Sequence, residues 1–359
     1  MTTELLVFAI ALATSFILTL PVRRLALEIG MVDRPNARKL HQNPMPLLGG
    51  VAIYCGTVVA ILFSLRGQHV GQVFGLLAGA TLLLVTGVLD DRGLLHHQIK
   101  LFFAMPVAAV TLVSVGIRFH VASQFVPGTL GTVVDTALTL FWMVGITAAF
   151  SILDHMDGLV SGVAAIAAFF FALLATLNGQ YFIAPLAAAV CGASLGFLRW
   201  NFKPAKIFMG DGGAMFLGLM VAALGVKLRP EHASPGFAWM IPILVLAVPI
   251  FDTTLVIISR SRRGLLPFAS PGKDHTAHRL ANQLGQRGAV VLMYGVGIFF
   301  GLLAVAINRV PLSQPWELAF GLALSALTAI LILERLPYER QSRAVEEAPL
   351  PTSLSQSAD

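Results

Sequence analysis

The chain has 359 residues, of which 57 % are hydrophobic and only 12 % charged, with a formal net charge of +6. Soluble domains carry about 25 % charged residues, so this composition, with a mean hydropathy of +0.81, excludes a water-soluble globular class and makes lipid the expected solvent. Cys55 and Cys191 both lie inside apolar runs, which excludes a disulfide framework or a thiolate metal site and leaves them as small packing residues.

A membrane-spanning helix needs ~20 mostly apolar residues. In chain order, eleven windows meet that description, at about 4–22, 48–65, 72–89, 99–117, 131–150, 158–177, 181–198, 212–226, 237–258, 289–307 and 317–334. The first lacks a basic leader and is followed by further spans, so it reads as a retained helix and not as a signal peptide. The expected fold is therefore all-α: a polytopic integral membrane bundle of about 11 helices. On that layout, one set of loops and the C-terminal tail hold 19 of the 24 basic residues. Only Arg66, Arg118, Lys227, Arg229 and Arg309 fall on the other side. The positive-inside rule then places the N-terminus outside and the C-terminus in the cytoplasm. Topology accounts for the basic surplus, and no nucleic-acid partner is called for. No internal repeat is visible. Residues 1–340 read as a single membrane domain and 341–359, polar and Pro/Ser-containing, as a disordered cytoplasmic tail.

Eight of the ten aspartates lie in or beside the cytoplasmic loops: Asp33, Asp90, Asp91, Asp154, Asp157, Asp211, Asp252 and Asp274. Avoidance of lipid explains Asp33 and Asp274 as solvated loop acids. It does not explain "GVLDDRGL" (87–94), "SILDHMDGL" (151–159) or "KIFMGDGGAMFLG" (206–218), where acids are embedded in apolar sequence. Asp154 and Asp157, three apart, project from one helical face. Asp211 precedes a helix start, beside glycines that permit close backbone approach. Five carboxylates converging from three loops repel one another unless a cation sits among them. A hard ion such as Mg²⁺, held by one or two carboxylates and phosphate oxygens, fits that need.

The basic residues supply anion contacts. Lys39 and His41 lie on the first cytoplasmic loop, Lys206 follows "RWNFKPA", and His275, His278 and Arg279 lie in "GKDHTAHRL". Arg260, Arg262 and Arg263 read as topology anchors. The spaced pair His275/His278 lacks a third soft ligand, so phosphate contact is favoured over zinc. Asp252 lies about two helical turns inside Arg260 and reads as a residue that orients a lysine or the metal site, with a polar helix-packing contact as the alternative.

The segments "DRPNARKLH", "GVLDDRGL", "LDHMDGL", "RWNFKPAKIFMGDGGAMFLG", "PIFDT" and "DHTAHRL" occur in an order that resembles the polyprenyl-phosphate N-acetylhexosamine-1-phosphate transferases of glycosyltransferase family 4. The resemblance runs from about residue 20 to 295 and is closer to the bacterial undecaprenyl-phosphate GlcNAc-1-phosphate transferases than to the phospho-MurNAc-pentapeptide transferases. It implies transfer of a sugar 1-phosphate from a UDP-sugar to undecaprenyl phosphate, with release of UMP, Mg²⁺ or Mn²⁺ as cofactor, and a cytoplasmic site on the inner (plasma) membrane. A homodimer is one admissible assembly. Residue by residue, it implies catalytic roles for Asp90, Asp91, Asp154, Asp157, His275 and His278. Metal binding falls to Asp211 with Asp91. Beyond the resemblance, substrate contacts are expected from Lys39, His41, Asn201, Lys206, Arg279 and Asp252. A direct attack by the lipid phosphate and an aspartyl-phosphate route through Asp90 both remain open.

The chain departs from the pattern at Leu47 (usually arginine), Ala148 and Ser151 (asparagines), His155 (glycine), Gly212 and Ala214 (serines) and Ala277 (histidine). The rival readings are a pentapeptide-linked substrate, a catalytically impaired relative acting as a scaffold, and a secondary transporter. The transporter is disfavoured because its acids belong near the bilayer midplane.

Overall fold

The computed structural model describes residues 2–33, 44–65, 69–95, 97–230, 238–266, 272–309 and 315–336. The expected sites Lys39 and His41 and the 341–359 tail lie outside them. The helices in chain order are α1 (Thr2–Glu28), α2 (Gly49–Ser64), α3 (Val70–Asp91), α4 (His97–Ile99), α5 (Met105–Ser114), α6 (Thr129–Leu153), α7 (Leu159–Leu177), α8 (Ile183–Asn201), α9 (Gly210–Lys227), α10 (Met240–Val245), α11 (Ala247–Arg262), α12 (Thr276–Arg309) and α13 (Pro315–Arg335). A π-helical turn, Lys100–Ala104, joins α4 to α5. Among the described residues the only strands are a two-residue antiparallel pair, β1 (Val32–Asp33) and β2 (Met45–Pro46).

Among the described residues, eight helices are long and apolar enough to cross a membrane, and Gly49–Ser64 and Lys100–Ser114 are shorter apolar helices. The window at 237–258 is filled by α10 and α11, which break at Leu246. Each expected window overlaps helix among the described residues, as runs of this hydropathy demand, and eight of these helices have spanning length. One element differs from expectation. The helix over 289–307 begins earlier, at Thr276, and Gly285 (φ 69°, ψ 166°) divides it into a short helix carrying the histidine segment and a long one.

The centre of the bundle is α9, which buries every residue from Gly212 to Val226. A helix apolar on all sides is suited to that place. It packs against α3 and α6, while α1 lies against α8 and α2, and α7 against α8 and α12. Outward-facing Phe102, Phe141, Phe169, Phe299, Trp316 and Phe320 are all more than half exposed, an apolar perimeter that in this solvent is lipid contact. Cys191 is buried and Cys55 half-buried, both as free thiols.

Small residues set how closely the central helices approach. A Cβ built at Gly87 of α3 would lie 2.2 Å from the backbone nitrogen of Gly212 of α9, and one at Gly212 would lie 2.7 Å from Leu84 O. The departure at Gly212 is therefore what the α3–α9 crossing requires. On the other side, Gly49 N donates to Phe208 O, Gly50 N to Met209 O and Phe208 N to Pro46 O, which ties the start of α2 to the start of α9. Asp211 is thereby placed at one end of the bundle, opposite the end of α3.

Candidate active site

The C-terminal ends of α3, α6 and α8 meet the N-terminal end of α9, and the carboxylates singled out above gather there. Asp211 lies in the first turn of α9, where a helix N-terminus favours negative charge. Its backbone N–H donates to Asp91 Oδ1 at 3.3 Å. Asp91 lies so close that a Cβ at Gly210 would come within 2.4 Å of Asp91 Oδ2. Gly210 itself has φ +75°, a left-handed turn that a side chain would strain. Lys100 Nζ lies 2.8 Å from Asp90 Oδ2 and also donates to Asp211 Oδ2. Ser151, at one of the positions where the family pattern has asparagine, donates its hydroxyl to Asp211 Oδ1 at 3.2 Å.

The turn after α6 carries Asp154, His155 and Asp157. Burial pushes the Asp154 carboxyl up to about 8, with the charges of Asp211, Asp91 and Asp157 adding to it. Asp157 Oδ2 accepts from Ala205 N at 3.1 Å and lies 3.4 Å from Lys203 Nζ. Asn201 is buried and holds this turn to the 201–207 segment. Its Oδ1 accepts from Gly158 N (3.0 Å) and Ser161 Oγ (3.2 Å), and its Nδ2 donates to Ile207 O (3.0 Å).

The histidine segment reaches the same turn. Asp252 is buried. Its Oδ2 lies 2.9 Å from His275 Nδ1 and its Oδ1 accepts from Thr276 N at 2.7 Å, so one carboxylate orients the imidazole and starts α12. The ring of His155 lies 4.1 Å from that of His275 and 4.4 Å from that of His278, tilted 27° to each. Burial, with the imidazoles of His275 and His278 adding to it, holds His155 well below the usual histidine range and therefore neutral.

The other expected residues sit elsewhere. Lys206 is exposed, with its ammonium 5.2 Å from the Trp200 ring centroid. Arg279 is fully buried and donates to Asp274 O, Leu333 O and Ser259 Oγ, and it pairs with Glu334 at 2.7 Å. Its guanidinium is engaged within the protein. Three expectations are corrected. Asp154 and Asp157 lie in the turn between α6 and α7 and do not share a helical face, because Gly158 (φ 81°) breaks the helix there. Asp274 is not a solvated loop acid but 1 % exposed, and Arg260 is not a surface anchor but 4 % exposed. Arg260 Nε and Nη2 each hold an Asp274 oxygen at 2.9 Å, and Arg263 Nη2 adds a third bond at 2.6 Å. Burial by itself would raise the Asp274 carboxyl, but the Arg260 contacts, with His275 and Arg263, outweigh it and hold it at about 2.

Lys100, Ser151 and His155 were not singled out as site residues by sequence. Lys100 did carry a signal, as a lone cation opening an apolar span nine residues after Asp91. Its π-helical turn is a further one, since such turns recur at functional positions.

Among the described residues, no group of three or more His, Cys, Asp or Glu is arranged to hold a metal by protein ligands alone. The oxygen donors of Asp91 and Asp211 nevertheless suit a hard divalent ion, which commonly takes only one or two carboxylates and completes its shell with phosphate oxygens and water. The Lys100 ammonium between Asp90 and Asp211 marks where these acids draw positive charge.

Comparison with known proteins agrees with this architecture. The model of glycosyl transferase family 4 matches residues 73–229, which run from α3 to the end of α9. A probable undecaprenyl-phosphate N-acetylglucosaminyl 1-phosphate transferase of Bacillus subtilis is 37 % identical over 84 % of each chain. A decaprenyl-phosphate N-acetylglucosaminephosphotransferase of Mycolicibacterium smegmatis is 34 % identical over 87 % of this chain and 83 % of its own. An undecaprenyl-phosphate alpha-N-acetylglucosaminyl 1-phosphate transferase of Yersinia pestis is 30 % identical over 92 % and 90 %. With its carboxylates drawn to one end of an apolar helical bundle, this chain belongs to glycosyl transferase family 4.

Proposed function

We propose that the chain transfers N-acetylglucosamine 1-phosphate from its UDP conjugate to a polyprenyl phosphate, releasing UMP, at the cytoplasmic face of the bacterial plasma membrane. The observation that carries this reading is the meeting of Asp90, Asp91, Asp154 and Asp211 with Lys100 at one end of a membrane bundle. The substrates named for its relatives supply the donor sugar and the acceptor lipid, and the bias of basic residues supplies the orientation.

An oxygen of the acceptor phosphate forms a bond to the β-phosphorus of the donor. The bond from that phosphorus to the bridging oxygen breaks, and UMP leaves with the electron pair. Such a transfer asks the protein chiefly for alignment and charge compensation. Asp211 and Asp91 would hold Mg²⁺ or Mn²⁺, which supplies Lewis acidity to the diphosphate when bound. Lys100 compensates Asp90 and Asp211 and is placed to meet phosphate. Asp90, tied to Lys100, positions the acceptor. Its ion pair favours the direct route over an aspartyl-phosphate, because a carboxylate held by an ammonium is a weakened nucleophile. A phosphate monoester has its second pKa near 6, so the acceptor needs little help in losing a proton at neutral pH.

Asp154 and Asp157 align the donor from the turn after α6. His275, oriented by Asp252, and His278 offer ring nitrogens to phosphate and sugar oxygens. Lys206 is an exposed basic group that would contact phosphate or sugar oxygens, and Lys39 and His41 would add basic groups of the same chemistry. Asn201 and Arg279 act as positioning residues, the first through the Gly158 turn and the second through the α11–α12–α13 contacts.

The test is UMP release and lipid-linked product from purified protein, polyprenyl phosphate, Mg²⁺ and UDP-N-acetylglucosamine. Asp211→Asn is expected to abolish both. Undiminished turnover in that variant would overturn the metal assignment, and wild-type protein inert toward every UDP-sugar would overturn the reaction.

A further inference from the structure

His155 has no place in the family pattern, which carries glycine there, yet it makes two of the three ring contacts among His155, His275 and His278. Its ring lies 4.1 and 4.4 Å from the other two, which are themselves 5.6 Å apart, so the three imidazoles form a compact triangle. Two segments far apart in sequence contribute to it: the turn after α6 gives one ring, and the start of α12 gives two. The same pattern expects a further histidine where this chain has Ala277. Ala277 is fully buried and faces the apolar core. The imidazole missing from one segment is present on the other.

The contacts of the triangle show what the ring is for. His275 is fixed at one nitrogen by Asp252 (2.9 Å), and His155 Nδ1 lies 3.3 Å from Ile152 O, but His278 Nδ1 and His155 Nε2 are buried with no hydrogen-bond partner among the described residues. Among the described residues no polar group holds the His278 ring at that nitrogen, and the face of His155 packs against the ring. Face-to-face packing of this kind restricts how each ring can turn about its χ angles.

We propose that His155 is a positioning residue for the sugar-nucleotide donor: from the Asp154–Asp157 turn it supplies the third ring against which His275 and His278 are set toward the donor's phosphate and sugar oxygens. The assignment rests on the transferase reading above. It makes the departures at His155 and Ala277 a single exchange of one ring between two neighbouring segments.

The test uses the full chain in detergent or nanodiscs, with UMP release followed as a function of donor and of acceptor separately. His155→Gly is expected to raise the donor KM or lower kcat/KM for the donor by about tenfold, the scale of a modest misplacement of an aligned group. The acceptor KM is expected to stay within about twofold. His155→Phe, which keeps a stacking ring without the nitrogens, should stay within about threefold of wild type and also reports that the turn still folds. A donor KM unmoved by His155→Gly in an active protein overturns the assignment and leaves the transferase reading standing. A His155→Phe variant as impaired as His155→Gly, with its melting temperature unchanged, overturns the positioning role in favour of direct ligand contact. Calorimetric binding of UMP to wild type and His155→Gly separates the two levels. A wild type inert in turnover whose UMP affinity still falls about tenfold in His155→Gly would remove the reaction and keep the residue assignment. Equal affinities would remove both.

Discussion

The Cα of Gly87 and the backbone nitrogen of Gly212 face each other so closely that a methyl group on the first would lie 2.2 Å from the second. That contact brings Asp90 and Asp91, one turn further along α3, up to Asp211 at the start of α9. Gly87→Ala is expected to force α3 and α9 apart, at a cost of about 1–3 kcal/mol for overpacking. Turnover should fall more steeply than stability, because the carboxylates separate with the helices. Thermal unfolding in detergent alongside UMP release checks both.

Lys100 holds Asp90 and Asp211 together through one ammonium. Lys100→Met is expected to lose turnover and also to destabilise the protein by about 3 kcal/mol when divalent cations are chelated, since it leaves two partly buried carboxylates facing each other. Added Mg²⁺ should recover much of the lost melting temperature and recover it more in the variant than in wild type. Melting curves with chelator and with Mg²⁺ measure the difference.

Asn201 makes three hydrogen bonds that hold the Asp157–Gly158 turn to the segment after α8. Asn201→Asp keeps the acceptor toward Gly158 and loses the donor to Ile207 O, setting a carboxylate against a carbonyl. A loss of about 1–3 kcal/mol is expected from the unpaired buried oxygen, with kcat falling as the Asp157 carboxylate shifts. Melting temperature and steady-state kinetics of the purified variant test this.

Asp274 links stability to pH. Its carboxyl titrates at about 2 in the folded protein against about 3.9 in an unfolded chain. A lowered folded value means that the unfolded state binds the proton more readily. The stabilisation is therefore complete above about pH 4 and is lost as pH falls toward 2. Asp274→Ala, which leaves Arg260 buried without its carboxylate, is expected to cost about 3–5 kcal/mol at neutral pH. The difference from wild type should shrink below pH 4. Melting temperatures of both proteins from pH 7 to pH 3 test the sign.

Much of the architecture is legible in the sequence because a lipid-facing helix depends on little beyond its own length and hydropathy. The eleven windows need no knowledge of their neighbours. The acids are legible for a related reason: Asp90, Asp91, Asp154 and Asp211 sit in apolar surroundings where only function or strong pairing keeps a carboxylate. What the sequence hides is which partner each charge finds. Arg260 and Asp274 read as an anchor and a loop acid because each is common in that role. Only the tertiary structure brings the end of α11 and Asp274 together in a buried pair. Arg279 shows the same limit, since its burial follows from α13 lying over it, a contact that no local pattern announces. Lys100 was visible as a cation and illegible as a partner, because its two carboxylates come from different helices.

The crossing of α3 and α9 also bears on how the protein is made. Asp91 and Asp211 are 120 residues apart in the chain, and ribosomes extend bacterial chains at about 5–20 residues per second. Roughly 6–24 s therefore separate the synthesis of α3 from that of its central neighbour. Through that interval α3 must rest in the bilayer with its glycine face uncovered and two adjacent acids at its tip. Membrane insertion helix by helix cannot complete this carboxylate-bearing end, which closes only when α9 slides in against α3.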